Sequence, residues 1–319
     1  MRLFRRRAAV LRREPHRTKL LTAVVAGCAL AVLALLPACS NADSDRLEIV
    51  VTTNILGDIT QSLVGDAASV MVLMPAGADP HQFAISAQQA ARIEHAALLV
   101  HNGLGLEEGV QRHVSAAEQS GVATLSVGER VDPLNYRATD RPDPHFWTDP
   151  ARVRRAVEVL SARLLELDGI DANAVRANTD RYLAEVATLD AWMTDRFAAL
   201  PAESRRLVTN HHVFGYLAQR FGFEVIGAVI PSGTALASPS ASDLADLATA
   251  VRTAGVRAIF ADSSQPDRLA RVLATQAGVN VQVVALHTES LTAPGGGAAT
   301  YLEMMRANTD AIVSGLTKP

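Results

Sequence analysis

The tripeptide Asp-Pro-His occurs twice in this chain, as Asp79-Pro80-His81 within "AGADPHQFAI" (76–85) and as Asp143-Pro144-His145 within "RPDPHFWTDP" (141–150). Proline fixes φ near −65° and removes an N–H, so a histidine beside it sits in a restricted loop. A neutral imidazole is a metal ligand as well as an acid–base group. Two such loops in one chain suggest a pair of imidazoles aimed at a common target. Asp-Pro also opens ordinary turns, and most loop histidines are simply solvated, so the tripeptide alone leaves both readings open.

Other polar residues stand where short β-rich runs end. His211 follows "RLVTN" (206–210), Asp262 closes "VRAIFAD" (256–262), and Glu289 lies just past "VQVVAL" (281–286). Open parallel sheets bind ligands outside the carboxyl ends of their strands. A cleft there could gather His81 and His145 from one side and His211 and Glu289 from the other. Three imidazoles and a carboxylate form an N/O set suited to Zn²⁺. Asp79 and Asp143 would then accept imidazole N–H groups and fix the ring tautomers. The four residues are remote from one another in sequence, so spacing by itself does not select this reading over the bland one.

The intervening pattern supplies the elements. Strands are expected at 46–53, 68–74, 96–102 and 122–127, separated by helices near 55–64, 86–94 and 107–119. Such alternation reads as parallel βαβ units. Asp149 is a natural N-cap with Pro150 at the first helical position, so a helix should run from there to about Leu167. Residues 172–200 carry Val175, Tyr182, Val186, Leu189, Met193 and Phe197 at three- and four-residue steps, with no internal Gly or Pro. This predicts one amphipathic helix of roughly 40 Å at 1.5 Å per residue, a stiff connector between lobes. After it the alternation restarts: strands at 206–210, 223–230, 256–262 and 279–286, and helices from about His212 to Phe221, then to Ala254, near 266–277 and at 300–316. The expected fold is α/β, two parallel-sheet lobes (46–171 and 201–319) joined by one long rigid helix (172–200), with the site in the interlobe cleft.

Of 319 residues, 49% are hydrophobic and 20% charged, an ordinary globular composition. The charge is uneven. Residues 1–19 hold seven arginines and Lys19 against Glu14, and an apolar run, Leu20 to Leu36, precedes "PACSNADSD". Basic region, apolar stretch and small-residue boundary make an export signal. "LPAC" (36–39) resembles the lipobox of bacterial lipoproteins, although Pro37 departs from its usual residue. The expectation is a signal peptide over 1–38, a lipidated Cys39 and a polar tether at 39–45. "VAGC" (25–28) fits the box better locally but leaves too short an apolar run. Losing residues 1–38 removes eight basic and one acidic side chain and moves the formal charge from −3 to −10. An acidic body whose one lysine is Lys318 is a poor nucleic-acid binder. With no cysteine beyond Cys39, it offers neither a disulfide frame nor a thiolate metal site.

Longer motifs carry a resemblance. "MPAGADPHQFAIS" (74–86), "VHNGLGLEE" (100–108), "DPHFWTDP" (143–150), "ANTDRYLAEVATLD" (177–190), "VTNHHVFGYLAQRFGF" (208–223), "IFADSSQPDRLA" (259–270), "ALHTESL" (285–291) and "TYLEMMRANTDAIVSGL" (300–316) are similar to the substrate-binding lipoproteins of bacterial zinc/manganese ABC importers. The resemblance spans about Leu47 to Leu316. It implies two α/β lobes, a rigid linking helix and a metal buried in the cleft, with ligands falling on His81, His145, His211 and Glu289. The family usually has aspartate where Glu289 stands. Should the extra methylene keep Glu289 from ligating, Asp262 or His287 is the nearest substitute. Histidine at 211 leans toward zinc, since manganese members often place a carboxylate there and Mn²⁺ prefers oxygen. The His-rich loop of many zinc members is missing, because only His95, His101 and His113 fall between His81 and His145.

The expectation is therefore an exported metal carrier and not an enzyme. It would be a monomer, lipid-anchored at the outer face of the cytoplasmic membrane, passing Zn²⁺ to an ABC permease. A manganese or iron carrier on the same scaffold is the alternative. An exported zinc hydrolase is weaker, for the chain has no HExxH. His212 is expected in the first turn of its helix, and His95, His101 and His113 at the surface or cleft edge. "GLGLEEG" (103–109) lacks GxGxxG spacing and any lysine, and reads as a turn with Glu107 near a helix start.

Overall fold

The computed structural model describes residues 46–136, 140–230, 239–278 and 281–317. The expected signal, tether and Cys39 lie outside them, as does most of the Ser/Pro loop at 231–240. Among the described residues no helix is long and apolar enough to cross a membrane.

Among the described residues there are two four-stranded sheets, and every strand pair in them is parallel. The first holds β1 (Glu48–Val51), β2 (Ser69–Val72), β3 (Leu98–His101) and β4 (Thr124–Ser126) in the order β2-β1-β3-β4. The second holds β5 (Arg206–Thr209), β6 (Glu224–Ala228), β7 (Ala258–Asp262) and β8 (Gln282–Leu286) in the order β6-β5-β7-β8. The lobes thus share one topology without a sequence repeat. Central β3 and β7 are buried along their whole length, as expected for strands covered on both faces, while edge strand β2 is half-exposed. In each sheet the order reverses beside the first strand, so the crevice for a ligand opens at the carboxyl ends there.

Helices α1 (Asn54–Val64), α2 (Ala87–Glu94) and α3 (Gln111–Gln119) serve the first sheet. α4 spans Pro150–Leu164, and the Asp149 carboxylate accepts the Ala151 N–H at 2.8 Å, a cap that contributes about 1 kcal/mol. α5 is the long helix, Ala172–Ala198, capped by Asp171. Its buried stripe is the expected one with Thr179 added. α5 packs against α1 and α4 on one side and, on the other, against α6 (Gly215–Phe221) and α9 (Tyr301–Thr317). α7 (Ala241–Ala254) and α8 (Arg268–Ala277) complete the second lobe. One continuous cluster of buried side chains runs from Ile49 and Val100 through Tyr182 and Leu189 to Phe260 and Ile312. The lobes are therefore welded through α5 rather than merely tethered by it.

Two local expectations are corrected. The helix after "GLGLEEG" starts at Gln111, not near 107. The helix of "HHVFGYL" starts at Gly215, so His212 precedes it. The chain stays irregular there because it must carry His211 inward: the Thr209 hydroxyl donates to the His211 carbonyl at 2.5 Å. His101, expected at the surface or cleft edge, closes β3 and is buried at 6% exposure, because a parallel strand covered on both faces buries its last residue too.

Candidate metal centre

Both Asp-Pro-His loops use the same turn. The Asp79 Oδ1 accepts the His81 backbone N–H at 2.8 Å, and the Asp143 Oδ1 accepts the His145 N–H at 3.0 Å. An aspartate bonding the N–H two residues on, with proline fixing the residue between, presents the imidazole from a tight corner. The two aspartates then diverge. Asp143 Oδ1 also accepts His145 Nδ1–H at 2.7 Å, which turns the ring's Nε2 lone pair inward. Asp79 does not touch an imidazole, contrary to expectation. Its Oδ2 accepts from the side-chain amides of Gln82, at 2.7 Å, and Gln265, at 2.6 Å. Both Asp79 oxygens are already engaged, one by the His81 backbone N–H and the other by the two amides.

The second lobe supplies His211 and Glu289. Asn210 Oδ1 accepts the Asp262 N–H at 3.2 Å, and Asp262 Oδ2 accepts the Thr288 N–H at 3.0 Å and bonds the Thr288 hydroxyl. Asp262 Oδ1 is taken by the Ser264 N–H and hydroxyl. Asp262 is thus a buried strut between the two loops, with both oxygens engaged. His287 is held by Ser263 and Asn308. Neither Asp262 nor His287 belongs to the ligand cluster, and the substitution considered for Glu289 has no basis in this geometry.

His81, His145, His211 and Glu289 each offer one ligand atom, all within 4.8 Å of one another. Their exposures are 2%, 0%, 0% and 2%. The ring centroids form a near-equilateral triangle with sides of 5.6, 5.8 and 5.5 Å. The Glu289 carboxylate reaches all three rings: Oε1 lies 2.9 Å from His211 Nε2 and 3.4 Å from His145 Nε2, and Oε2 lies 3.9 Å from His81 Nε2. A tetrahedron with metal–ligand bonds of about 2.0–2.1 Å has edges of about 3.3 Å, within that range. The glutamate's extra methylene therefore does not carry its carboxylate past the cluster. Both His81 nitrogens, His145 Nε2, His211 Nδ1 and Glu289 Oε2 are buried without a hydrogen-bond partner. Such a concentration of unpartnered buried polar atoms, four of them able to offer a lone pair, is costly unless a cation meets it.

Electrostatics divide the histidines. Burial pushes the His145 pKa well below the ordinary 6.5, with the neighbouring His211 and His81 adding to the effect and Glu289 opposing it. Burial pulls His211 down too, but its hydrogen bond to Glu289 and that carboxylate's charge outweigh it, and the net shift is upward. Glu289 is held below its usual range: burial raises it, and the charges of His145, His211 and His81 overcome that. Burial raises Asp143 to about 7.

Sequence reasoning missed several residues that fix this geometry. The Tyr216 hydroxyl donates to the Asp143 carbonyl at 2.7 Å, and Trp147 Nε1 donates to the Thr288 carbonyl at 2.8 Å. Asn54 Nδ2 donates to the Ser290 hydroxyl at 2.8 Å. Trp147 stands two residues after His145, a signal that could have been used; Tyr216, Asn54 and Gln265 carried none.

Two parallel-sheet lobes closing on a buried His₃–carboxylate cluster define a class, the metal-binding substrate-binding proteins of ABC importers. The sequence profile of the family "Zinc-uptake complex component A periplasmic" matches residues 49–315. The chain belongs to that family, whose members are transporter components and not enzymes. It is 29% identical over 276 residues to the manganese-binding lipoprotein MntA of Halalkalibacterium halodurans, covering 86% of this chain and 90% of that one. It is 25% identical over 273 residues to the iron-binding protein YfeA of Yersinia pestis, covering 85% and 86%. Among solved structures, the periplasmic zinc-binding protein TroA of Treponema pallidum superposes with a TM-score of 0.80 at 26% identity, over 86% of this chain and all of that one. A manganese-bound periplasmic metal-binding protein of Candidatus Liberibacter asiaticus gives 0.77 at 27%, over 85% and all of it. The chain binds a divalent metal as cargo for an importer.

Proposed function

We propose that the cargo is Zn²⁺, held by His81, His145, His211 and Glu289 and handed to an ABC permease. The supporting observation is the donor set: three neutral-capable imidazoles and one carboxylate, buried, at the spacing of a tetrahedral site. Zinc favours such an N-rich shell, whereas Mn²⁺ favours more oxygen. Four protein ligands leave no position for an activated water, in keeping with carriage rather than hydrolysis. On this reading the protein is a monomer, exported and held at the outer face of the cytoplasmic membrane through Cys39, an anchor in keeping with the lipoprotein names of its relatives. The lobes span residues 46–171 and 201–319, with 172–200 between them.

A manganese or iron carrier is the second reading. It is favoured by the names of the relatives and by Glu289, whose two oxygens face different imidazoles and could both ligate. Competition of Zn²⁺, Mn²⁺ and Fe²⁺ for purified residues 40–319, repeated with His145→Ala, tests both. Tight zinc binding at one ion per chain that the substitution abolishes is expected. Preference for manganese would overturn the zinc assignment.

A further inference from the structure

Among the four proposed ligands, His81 is the one whose ring has no hydrogen bond at either nitrogen. Asp143 locks His145, and His211 and Glu289 bond each other. With no hydrogen bond of its own, the His81 ring takes its direction from its loop and from packing against the His145 and His211 rings. The Asp79 carboxylate organises that loop from within: Oδ1 takes the His81 N–H and Oδ2 takes the Gln82 amide. The Gln82 and Phe83 N–H groups close onto the Asp79 carbonyl at 3.2 and 3.1 Å.

The remaining bond to this carboxylate comes from the opposite lobe. Gln265 Nε2 donates to Asp79 Oδ2 at 2.6 Å. Gln265 stands in the turn after β7, and its own N–H donates to the Asp262 carbonyl at 3.3 Å. Asp262 is the strut that also fixes the His211 and Glu289 loops. A chain of hydrogen bonds thus runs from the ligands of the second lobe, through Asp262 and Gln265, to the turn that aims His81. A second crossing lies nearby, where the Gly77 N–H donates to the Leu291 carbonyl at 3.0 Å and meets the Ser290 hydroxyl at the same distance.

An ion among four side chains of 0–2% exposure leaves only when something opens. The continuous core through α5 resists separation of whole lobes, so the opening falls on a loop. The loop of His81 is the candidate, because hydrogen bonds fasten its tip to the second lobe and none holds its ring.

Resting on the metal-binding role proposed above, we propose that Gln265 is a positioning residue: its hydrogen bond to Asp79 keeps His81 in the coordination shell and sets the rate at which the metal is released. When that bond breaks, the Asp79 turn relaxes and His81 leaves first, with the ion still on His145, His211 and Glu289. Losing a hydrogen bond to a charged acceptor is expected to speed release about tenfold.

Zinc dissociation into excess chelator, followed by stopped flow on residues 40–319, tests this. Gln265→Ala should release zinc about tenfold faster, while the metal-free protein still folds and melts only a few degrees below wild type. Gln265→Lys, which keeps a donor for Asp79, should return release to the wild-type rate. In a His81→Ala background, which itself releases faster, adding Gln265→Ala should change the rate less than twofold, since the ligand it positions is gone. An unchanged rate in Gln265→Ala, or an undiminished effect on top of His81→Ala, would overturn the proposal. If wild type took up no zinc, the carrier reading itself would fail instead, so the two failures are distinct.

Discussion

His211 Nε2 and Glu289 Oε1 lie 2.9 Å apart, within hydrogen-bond reach, so without a cation between them the two proposed ligands would share a proton. The carboxylate raises the imidazole's pKa and the imidazoles hold the carboxylate's down. A metal must displace that proton. Affinity should therefore begin to fall on acidification above pH 6.5, the ordinary imidazole value, by up to about tenfold per pH unit for one proton released. His145, lowered well below 6.5, should add nothing there. An NMR titration of the metal-free protein is expected to show His211 protonated beyond pH 6.5 and His145 neutral. A midpoint for His211 at or below 6.5 contradicts it.

Glu289→Gln keeps the side chain's volume and removes its charge. Zinc affinity should drop at least about a hundredfold, because a buried divalent ion loses its one anionic ligand. The same substitution should lower the His211 pKa, since the upward pull came from this carboxylate. Calorimetric titration and NMR read the two effects separately.

Gly215 opens α6 against Asp143, and a Cβ there would lie 2.6 Å from Asp143 Oδ2. Alanine ordinarily favours a helix over glycine by about 1 kcal/mol. Here Gly215→Ala should push the carboxylate off His145 and weaken zinc binding about tenfold or more. Undiminished affinity would show that Asp143 is not needed where it stands.

Asp58, on α1, accepts the Tyr301 N–H at the start of α9 at 2.8 Å. Burial raises its pKa to about 6, the Tyr301 N–H partly offsets this, and Glu303 adds to the rise. An acid with a raised folded pKa binds its proton more tightly folded than unfolded. Its ionisation is thus harmless near pH 3.8, and costs progressively more up to pH 6 and fully above it. Asp58→Asn keeps the acceptor oxygen and should stabilise the protein by about 1–3 kcal/mol at pH 7.5 and not at pH 4. Paired thermal melts at the two pH values check the sign.

Trp147 packs edge-on to the His145 ring, centroids 5.3 Å apart. Zinc binding should change tryptophan emission, and Trp147→Phe should abolish the change. Trp192, on α5 beside Arg196 and Arg306, is away from the cluster, so Trp192→Phe should leave the signal intact.

How far the sequence discloses this molecule follows from how local each cause is. The α5 stripe and the Asp149 cap are written in spacings of two to four residues, and they were legible. The His81 and His145 turns were legible as turns, because Asp-Pro fixes its own backbone. The different tasks of Asp79 and Asp143 were not, since Gln265 lies 186 residues from the carboxylate it meets. Asp262 read as a spare ligand for the same reason: its partners Thr288 and Asn210 come from other strands' ends. The burial of His101 follows from sheet packing that no spacing records.

Glu107 carries a consequence of another kind. Buried at 1% exposure, its carboxylate accepts the Thr52 hydroxyl at 2.6 Å and the N–H groups of Asn102 and Gly103 at 2.6 and 3.1 Å. It sits above the reversal point of the first sheet, where nucleotide-binding proteins with open parallel sheets offer bare amides to a phosphate. Here the polypeptide fills that seat with its own carboxyl group, and the amides of Asn102 and Gly103 are satisfied from within the chain.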